Sequence, residues 1–207
     1  MTFKRRLVAQ LSRPSGWAAP WMARLLDHFN QKQVRRAIAH LAPAPGGRIL
    51  ELGFGGGVSL PLLLDAVGEG GVVFGADPSA EMIRRARRRQ RRALAAGRLE
   101  LVEAGVSALP WPDDHVDGVM SVNTVYFWPD LEAGLAGLRR LLRPGGRLVL
   151  SIGDPKELEE MGFAEAGFRT LTAAQYVEAL TGAGFADAEV RAHDDPMEGT
   201  CVVGTSP

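Results

Sequence analysis

The chain has 207 residues, 46% of them hydrophobic and 23% charged, with 24 Lys and Arg balanced by 24 Asp and Glu. That size and apolar content suit one sizeable core in a single domain, and the zero net charge removes any whole-molecule attraction to nucleic acid. No run of about eighteen apolar residues is present, which excludes a membrane-spanning helix, and the lone cysteine, Cys201, excludes an intramolecular disulfide and a thiolate zinc site and points to a reducing cytoplasm.

The opening Met1-Thr-Phe-Lys-Arg-Arg runs into Leu-Val-Ala-Gln-Leu-Ser-Arg, too short and polar for a secretory core. Trp17, Trp21, Met22, Leu25, Leu26 and Phe29 then recur at helical spacing. Gln31 to Leu41 reads as a second helical stretch, stopped by Pro43-Ala-Pro-Gly-Gly47. Residues 1–43 are therefore expected to form a helical segment that either closes one side of the core or lies as a partial lid over a ligand. Residues 44–207 hold the ligand-binding unit.

Ile49, Leu50 and Leu52 form an apolar strand suited to burial on both sheet faces, and Val58 to Val67 reads as the helix after it. Between them lies Glu51-Leu-Gly-Phe-Gly-Gly-Gly57. Glycine is needed where the chain turns sharply and a ligand approaches the backbone, and the helix N-terminus beyond presents N–H groups to a negative group. Gly53, Gly55 and Gly57 alternate, and position 58 is Val, unlike the G-x-G-x-x-G loop of dinucleotide enzymes.

A second strand, Gly71 to Asp77, ends on an acid suited to accept both ribose hydroxyls of a nucleoside. Pro78-Ser79 opens the next helix, which carries Met82 and then seven arginines within residues 84–92. On a helix these spread around most of the cylinder, leaving a thin apolar stripe of Met82, Ile83 and Ala86. A solvated outer helix is favoured over a nucleic-acid patch, because no aromatic residues are interleaved.

Leu99 to Glu103 reads as a third strand, followed by Ala104 to Leu109 and the turn Pro110 to Asp114. Val116 to Val122 is a fourth, and Leu141 to Ile152 a helix end, turn and fifth strand. Gly153 to Phe168 reads as an irregular segment with Met161, Phe163 and Phe168, too short for a separate substrate domain. Ala186 to His193 and Thr200 to Thr205 fit a closing hairpin.

Taken together, Glu51 to Gly57, the acid-tipped strand at Asp77 and Leu141-Leu-Arg-Pro-Gly-Gly-Arg-Leu148 resemble the landmarks of class I S-adenosylmethionine-dependent methyltransferases, over roughly residues 44 to 205. The resemblance implies an α/β fold: a three-layer, Rossmann-like, seven-stranded and mostly parallel sheet with a C-terminal antiparallel hairpin strand, plus an N-terminal helical lid. It implies S-adenosyl-L-methionine as cofactor, bound by Glu51, Gly53, Gly55, Gly57, Asp77, Pro78, Met82, Gly105, Val106 and Asn123, with Met82 packed on adenine. Relatives commonly place Gly-Asp-Ala before the Leu-Pro turn, the Asp accepting from the adenine amino group. Here the aligned residues are Ala104-Gly105-Val106, leaving the Val106 N–H for adenine.

Asn123-Thr-Val-Tyr126 keeps the ends of an N/D/S-P-P-Y/F/W tetrad found in some relatives but lacks both prolines, which argues against an adenine or glutamine amide nitrogen as acceptor. Asn123 and Tyr126 are the leading candidates for touching cofactor or substrate. Of the four histidines, His115 precedes the fourth strand at the wrong sheet end, His193 lies in the sixth strand and His40 ends a helix, which leaves His28 as a candidate base. No metal cluster stands out. The expected activity is methyl transfer to an O, N or C atom of a small, partly apolar molecule. The alternatives are a nucleic-acid methyltransferase using the arginine helix, a non-catalytic cofactor-binding module and, last, a dehydrogenase. Oligomeric state is not legible.

Overall fold

The computed structural model describes the backbone of residues 19–192 and 199–207, and the side chains of all these except 19–29. Helix α1 (Ala19–Leu41) leads into β1 (Arg48–Leu52), α2 (Ser59–Val67), β2 (Val72–Asp77), α3 (Ala80–Arg89) and the short α4 (Arg91–Ala95). Next come β3 (Leu99–Glu103), β4 (Val116–Val122), α5 (Leu131–Leu141), β5 (Leu142–Ile152) and α6 (Pro155–Glu160). The chain closes with α7 (Ala173–Gly182), β6 (Ala186–Arg191) and β7 (Thr200–Thr205).

The strands form one sheet in the order β3-β2-β1-β4-β5-β7-β6. Strands β1 to β5 pair in parallel, whereas β7 runs antiparallel to both β5 and β6. The chain order reverses between β1 and β4, and a sheet of this kind opens its ligand crevice at the carboxyl ends of the strands flanking such a point.

Period-two alternation sorts the core into two layers. Ile49, Val73 and Met120 join Val34, Ala37 and Leu41 of α1 and the buried faces of α2 and α3. Leu50, Leu52 and Phe74 face the other way, onto Leu131, Leu135, Leu138 and Leu141 of α5 and Tyr176 and Leu180 of α7. Helices thus cover both faces of the strands, which is why Ile49 to Leu52 of β1 reads as an apolar run broken only by Glu51. Gly118 of β4 admits α1 closely: a Cβ there would meet Leu41 Cδ1 at 2.9 Å.

Several details differ from the sequence reading. The two N-terminal helical stretches are one continuous helix, α1, and Trp17 lies outside the described residues. The arginine helix breaks at Gln90 (φ −105°, ψ 27°), so the run is divided between α3 and α4. Within the segment read as irregular, Asp154 caps α6 by accepting from the N–H groups of Lys156 and Glu157. The Pro-Gly-Gly turn is looped into the start of β5: Leu142 pairs with Val116 but Arg147 with Gly118. Strand β6 ends at Arg191, and His193 lies outside the described residues. At the sheet edge β6 is irregular, with Asp187 at φ 51° and a register shift against β7 between Ala186 and Glu189.

Candidate functional site

The loop after β1 is built by contacts on every side. Gly53 (φ 76°) donates its N–H to the Ala76 carbonyl at 2.7 Å, and a Cβ on it would lie 2.4 Å from Thr124 Cγ2, so only glycine lets β1 and the chain after β4 approach. Phe54 is buried, its ring lying where Gly75 of β2 lacks a side chain. Gly57 closes a turn by donating to the Phe54 carbonyl at 2.8 Å, and Arg89 of α3 donates to the Gly56 carbonyl at 2.9 Å. Gly55 (φ 50°) differs from Gly53: no atom lies within 4 Å of where its Cβ would be. The loop is therefore held from below and open above.

Asp77 ends β2 beside this loop and is 5% exposed. One carboxylate oxygen accepts the Gly55 N–H at 2.9 Å, the other the Ser79 N–H at 2.8 Å. These bonds fix the carboxylate beside the glycine loop. Ser79 then caps α3, its hydroxyl accepting from the Met82 N–H at 3.5 Å. Glu51 is buried at the end of β1.

Met82 differs in placement from its expected role on adenine. It is 1% exposed and sits inside the layer beneath α3, whereas Pro78 is only half-buried at the same corner. Gly105 has ordinary extended backbone (φ −88°, ψ 175°) with no atom within 4 Å of a built Cβ. Val106 begins a 3-10 turn, Val106–Ala108, with its side chain buried. The opening N–H groups of such a turn precede its own acceptors.

Asn123 follows β4 in the left-handed region (φ 55°), which asparagine tolerates better than most residues. Its Nδ2 donates to Asn30 Oδ1 at 2.9 Å and to Gln33 Oε1, joining β4 to α1. Tyr126 is 3% exposed: its hydroxyl donates to Asn123 Oδ1 at 3.1 Å and accepts the Gly153 N–H. Expected to touch a ligand, Tyr126 instead stands as a strut between β4 and the end of β5. Burial holds its phenol well above the ordinary tyrosine range, so it stays protonated. Its ring and those of Phe127, Phe163 and Phe168 pack edge-to-face or tilted, with centroids 5.0 to 6.3 Å apart.

The remaining candidates lie elsewhere or outside the described side chains, as His28 does. His115 sits before β4, bonded to Arg48 and packed edge-on to Phe74. Among the described residues no three potential metal ligands gather, and no helix is long and apolar enough to cross a membrane. The arginines of α3 are largely tied to the protein: Arg84 and Arg88 pair with Glu81, Arg87 donates to the Leu101 carbonyl, and Arg89 holds the glycine loop. Asn30, Gln33, Thr124 and Arg89 were missed by the sequence reading. Two carboxamides one helical turn apart, just before the buried Val34, were the available signal for the first pair.

The geometry fits S-adenosylmethionine: an open glycine cradle, a fixed carboxylate beside it and free space at Gly105. Residues 50–150 match the family of methyltransferase domains. The chain is 40% identical over 111 residues to an uncharacterized 37.1 kDa protein in a Streptomyces fradiae transposon, covering 54% of this chain and 31% of that protein. It is 32% identical over 123 residues to the ubiquinone/menaquinone biosynthesis C-methyltransferase of Shewanella piezotolerans, covering 59% and 49%. It thus spans half or less of the length of these two relatives. A chain in the structure described as the complex between the Haloferax volcanii Trm112 methyltransferase activator and the putative methyltransferase superposes with a TM-score of 0.80 at 24% identity, over 92% of this chain and 96% of that one. Cradle, sheet order and matched residues agree: residues 50–150 hold a methyltransferase domain of the class I S-adenosylmethionine-dependent type.

Proposed function

We propose that the protein transfers a methyl group from S-adenosylmethionine to an O, N or C atom of a small, partly apolar molecule. The observation that carries this reading is the neutral polar cluster of Asn30, Gln33 and Asn123 at the end of β4, set against the glycine loop through Thr124 and Gly53. S-adenosylmethionine supplies a methyl already activated on a sulfonium, so the protein's task is alignment and exclusion of water. The loop and Asp77 hold the nucleoside, Gly105 and Pro78 border its base, and α1 walls the acceptor side. The relative named for quinone biosynthesis supports a planar, partly apolar acceptor. The buried, reduced Cys201 supports a cytoplasmic setting.

The test has two parts. Calorimetry with S-adenosylhomocysteine is expected to show binding, and radiolabelled methyl transfer is then followed across small phenols, quinols and amines alongside total RNA. Transfer confined to small molecules is expected. Transfer to RNA alone, steeply weakened by salt, overturns the acceptor class, and binding without turnover on any acceptor leaves a cofactor-binding module instead.

A further inference from the structure

The orientation of the amides around Asn123 follows from one backbone group. Gly153 donates its N–H to the Tyr126 hydroxyl oxygen, so the hydroxyl's single proton goes to Asn123 Oδ1, 3.1 Å away. With its oxygen committed there, Asn123 must turn its NH2 toward α1. Both protons are used, on Asn30 Oδ1 at 2.9 Å and on Gln33 Oε1. Asn30 and Gln33 are thereby held oxygen-inward, and their own NH2 groups face away from Asn123. Gln33 Nε2 lies over Gly199, where a Cβ would come within 3.0 Å. Both residues are half-buried, as is Asn123 beside the glycine loop.

We propose that the Asn30 and Gln33 NH2 groups form the acceptor's oxygen subsite, binding a carbonyl or enol oxygen of a planar acceptor and rejecting an isostere that presents an amine in its place. The proposal rests on the methyltransferase reading for its biological sense, but it is a statement about hydrogen-bond polarity and needs no turnover. Amide donors suit an acceptor oxygen and leave an aromatic amine donor facing donors, which costs the amine a desolvated, unpaired N–H. Tyr126 and Asn123 act as positioning residues, since they set which end of each amide is offered.

The test is competition binding of 1,4-naphthoquinone, naphthalene and 1,4-diaminonaphthalene, with and without S-adenosylhomocysteine. Cys201 is buried, its thiol pKa pushed up to about 11 by that burial, so the quinone is not consumed by it. Wild type is expected to prefer the quinone over both other probes. Asn30→Leu and Gln33→Leu should each weaken quinone binding roughly fivefold and leave naphthalene unchanged. Gln33→Glu, which keeps the shape but removes the donors, should shift preference toward the diamine. Tyr126→Phe should relax quinone-over-diamine discrimination without altering S-adenosylhomocysteine affinity, which a merely structural role would not do selectively. Wild type that binds none of the probes at millimolar concentration or fails to distinguish them overturns the proposal. So do folded leucine and glutamate variants with wild-type preference. Loss of S-adenosylhomocysteine binding in wild type overturns the methyltransferase reading instead.

Discussion

Asp77 is the residue on which cofactor affinity should depend most, and its surroundings set the size of the effect. Its two oxygens already bind the N–H groups of Gly55 and Ser79 at 2.9 and 2.8 Å, so Asp77→Ala removes two internal acceptors as well as the pair offered to ribose. Hydrogen bonds to a charged group contribute about 1.5 to 3 kcal/mol each. Loss of one such net contribution toward the ligand corresponds to roughly 10- to 150-fold weaker binding. The internal bonds add a second signature: two backbone donors lose their acceptor, and a cost of about 1 to 3 kcal/mol would lower the melting temperature by several degrees. Asp77→Asn separates the two. It keeps one oxygen but sets an NH2 against a backbone N–H, so it should lie between wild type and alanine in both measurements. Calorimetry with S-adenosylhomocysteine and thermal melts of the three proteins decide it, and alanine-variant affinity within twofold of wild type would falsify the assignment of Asp77 to the ribose.

Gly55→Val should abolish S-adenosylhomocysteine binding with matching circular dichroism, since its Cβ meets no protein atom but enters the cradle at φ 50°; Gly55→Asn, which tolerates that backbone, isolates the steric part, and binding near wild type in both would move the cradle elsewhere. Gly105→Asp meets no clash and no unusual dihedral, so it should fold normally and raise preference for adenosine over inosine by roughly 10- to 150-fold in competition binding, with unchanged preference refuting the placement of adenine there. His115 is held below its ordinary pKa of 6.5, first by burial and then by the Arg48 charge. The folded state therefore favours neutral His115, its contribution is present above about pH 6.5 and is lost as pH falls below that, and His115→Phe should flatten this part of the urea-stability profile between pH 7.5 and 5. A variant profile parallel to wild type would show that His115 does not titrate with unfolding.

The strands and the glycine cradle were readable because both leave local marks. A strand buried on two faces must be apolar throughout, and a loop that admits a ligand must lack Cβ atoms, so Ile49 to Gly57 carries its own explanation. Asp77 was readable for the same reason, as an acid ending an apolar run. The amide cluster was not. Asn30 meets Asn123 from 93 residues away, and no short-range pattern reports which of several carboxamides a helix will turn toward a strand end. Met82 shows a different limit: its position in the helix was right, but whether a residue beneath a ligand keeps any surface depends on how deeply α3 seats, which only packing reveals. The break at Gln90 was likewise invisible, because an arginine run looks helical whether or not the apolar stripe beneath it continues.

The far edge of the sheet governs how the molecule behaves in company. Strand β6 offers an outer row of backbone groups, an invitation for a neighbour's strand to pair there. Its own residues turn that invitation down: Asp187 kinks the chain into the left-handed region, the register against β7 slips, and Glu189 and Arg191 form an ion pair on the exposed surface. A stranger docking along β6 would find a bent ladder with charges to desolvate. The protein should therefore stay free of edge-to-edge fibres at high concentration, and straightening this one edge, by replacing Asp187 and Glu189 with β-branched apolar residues, is the change that should make it sticky.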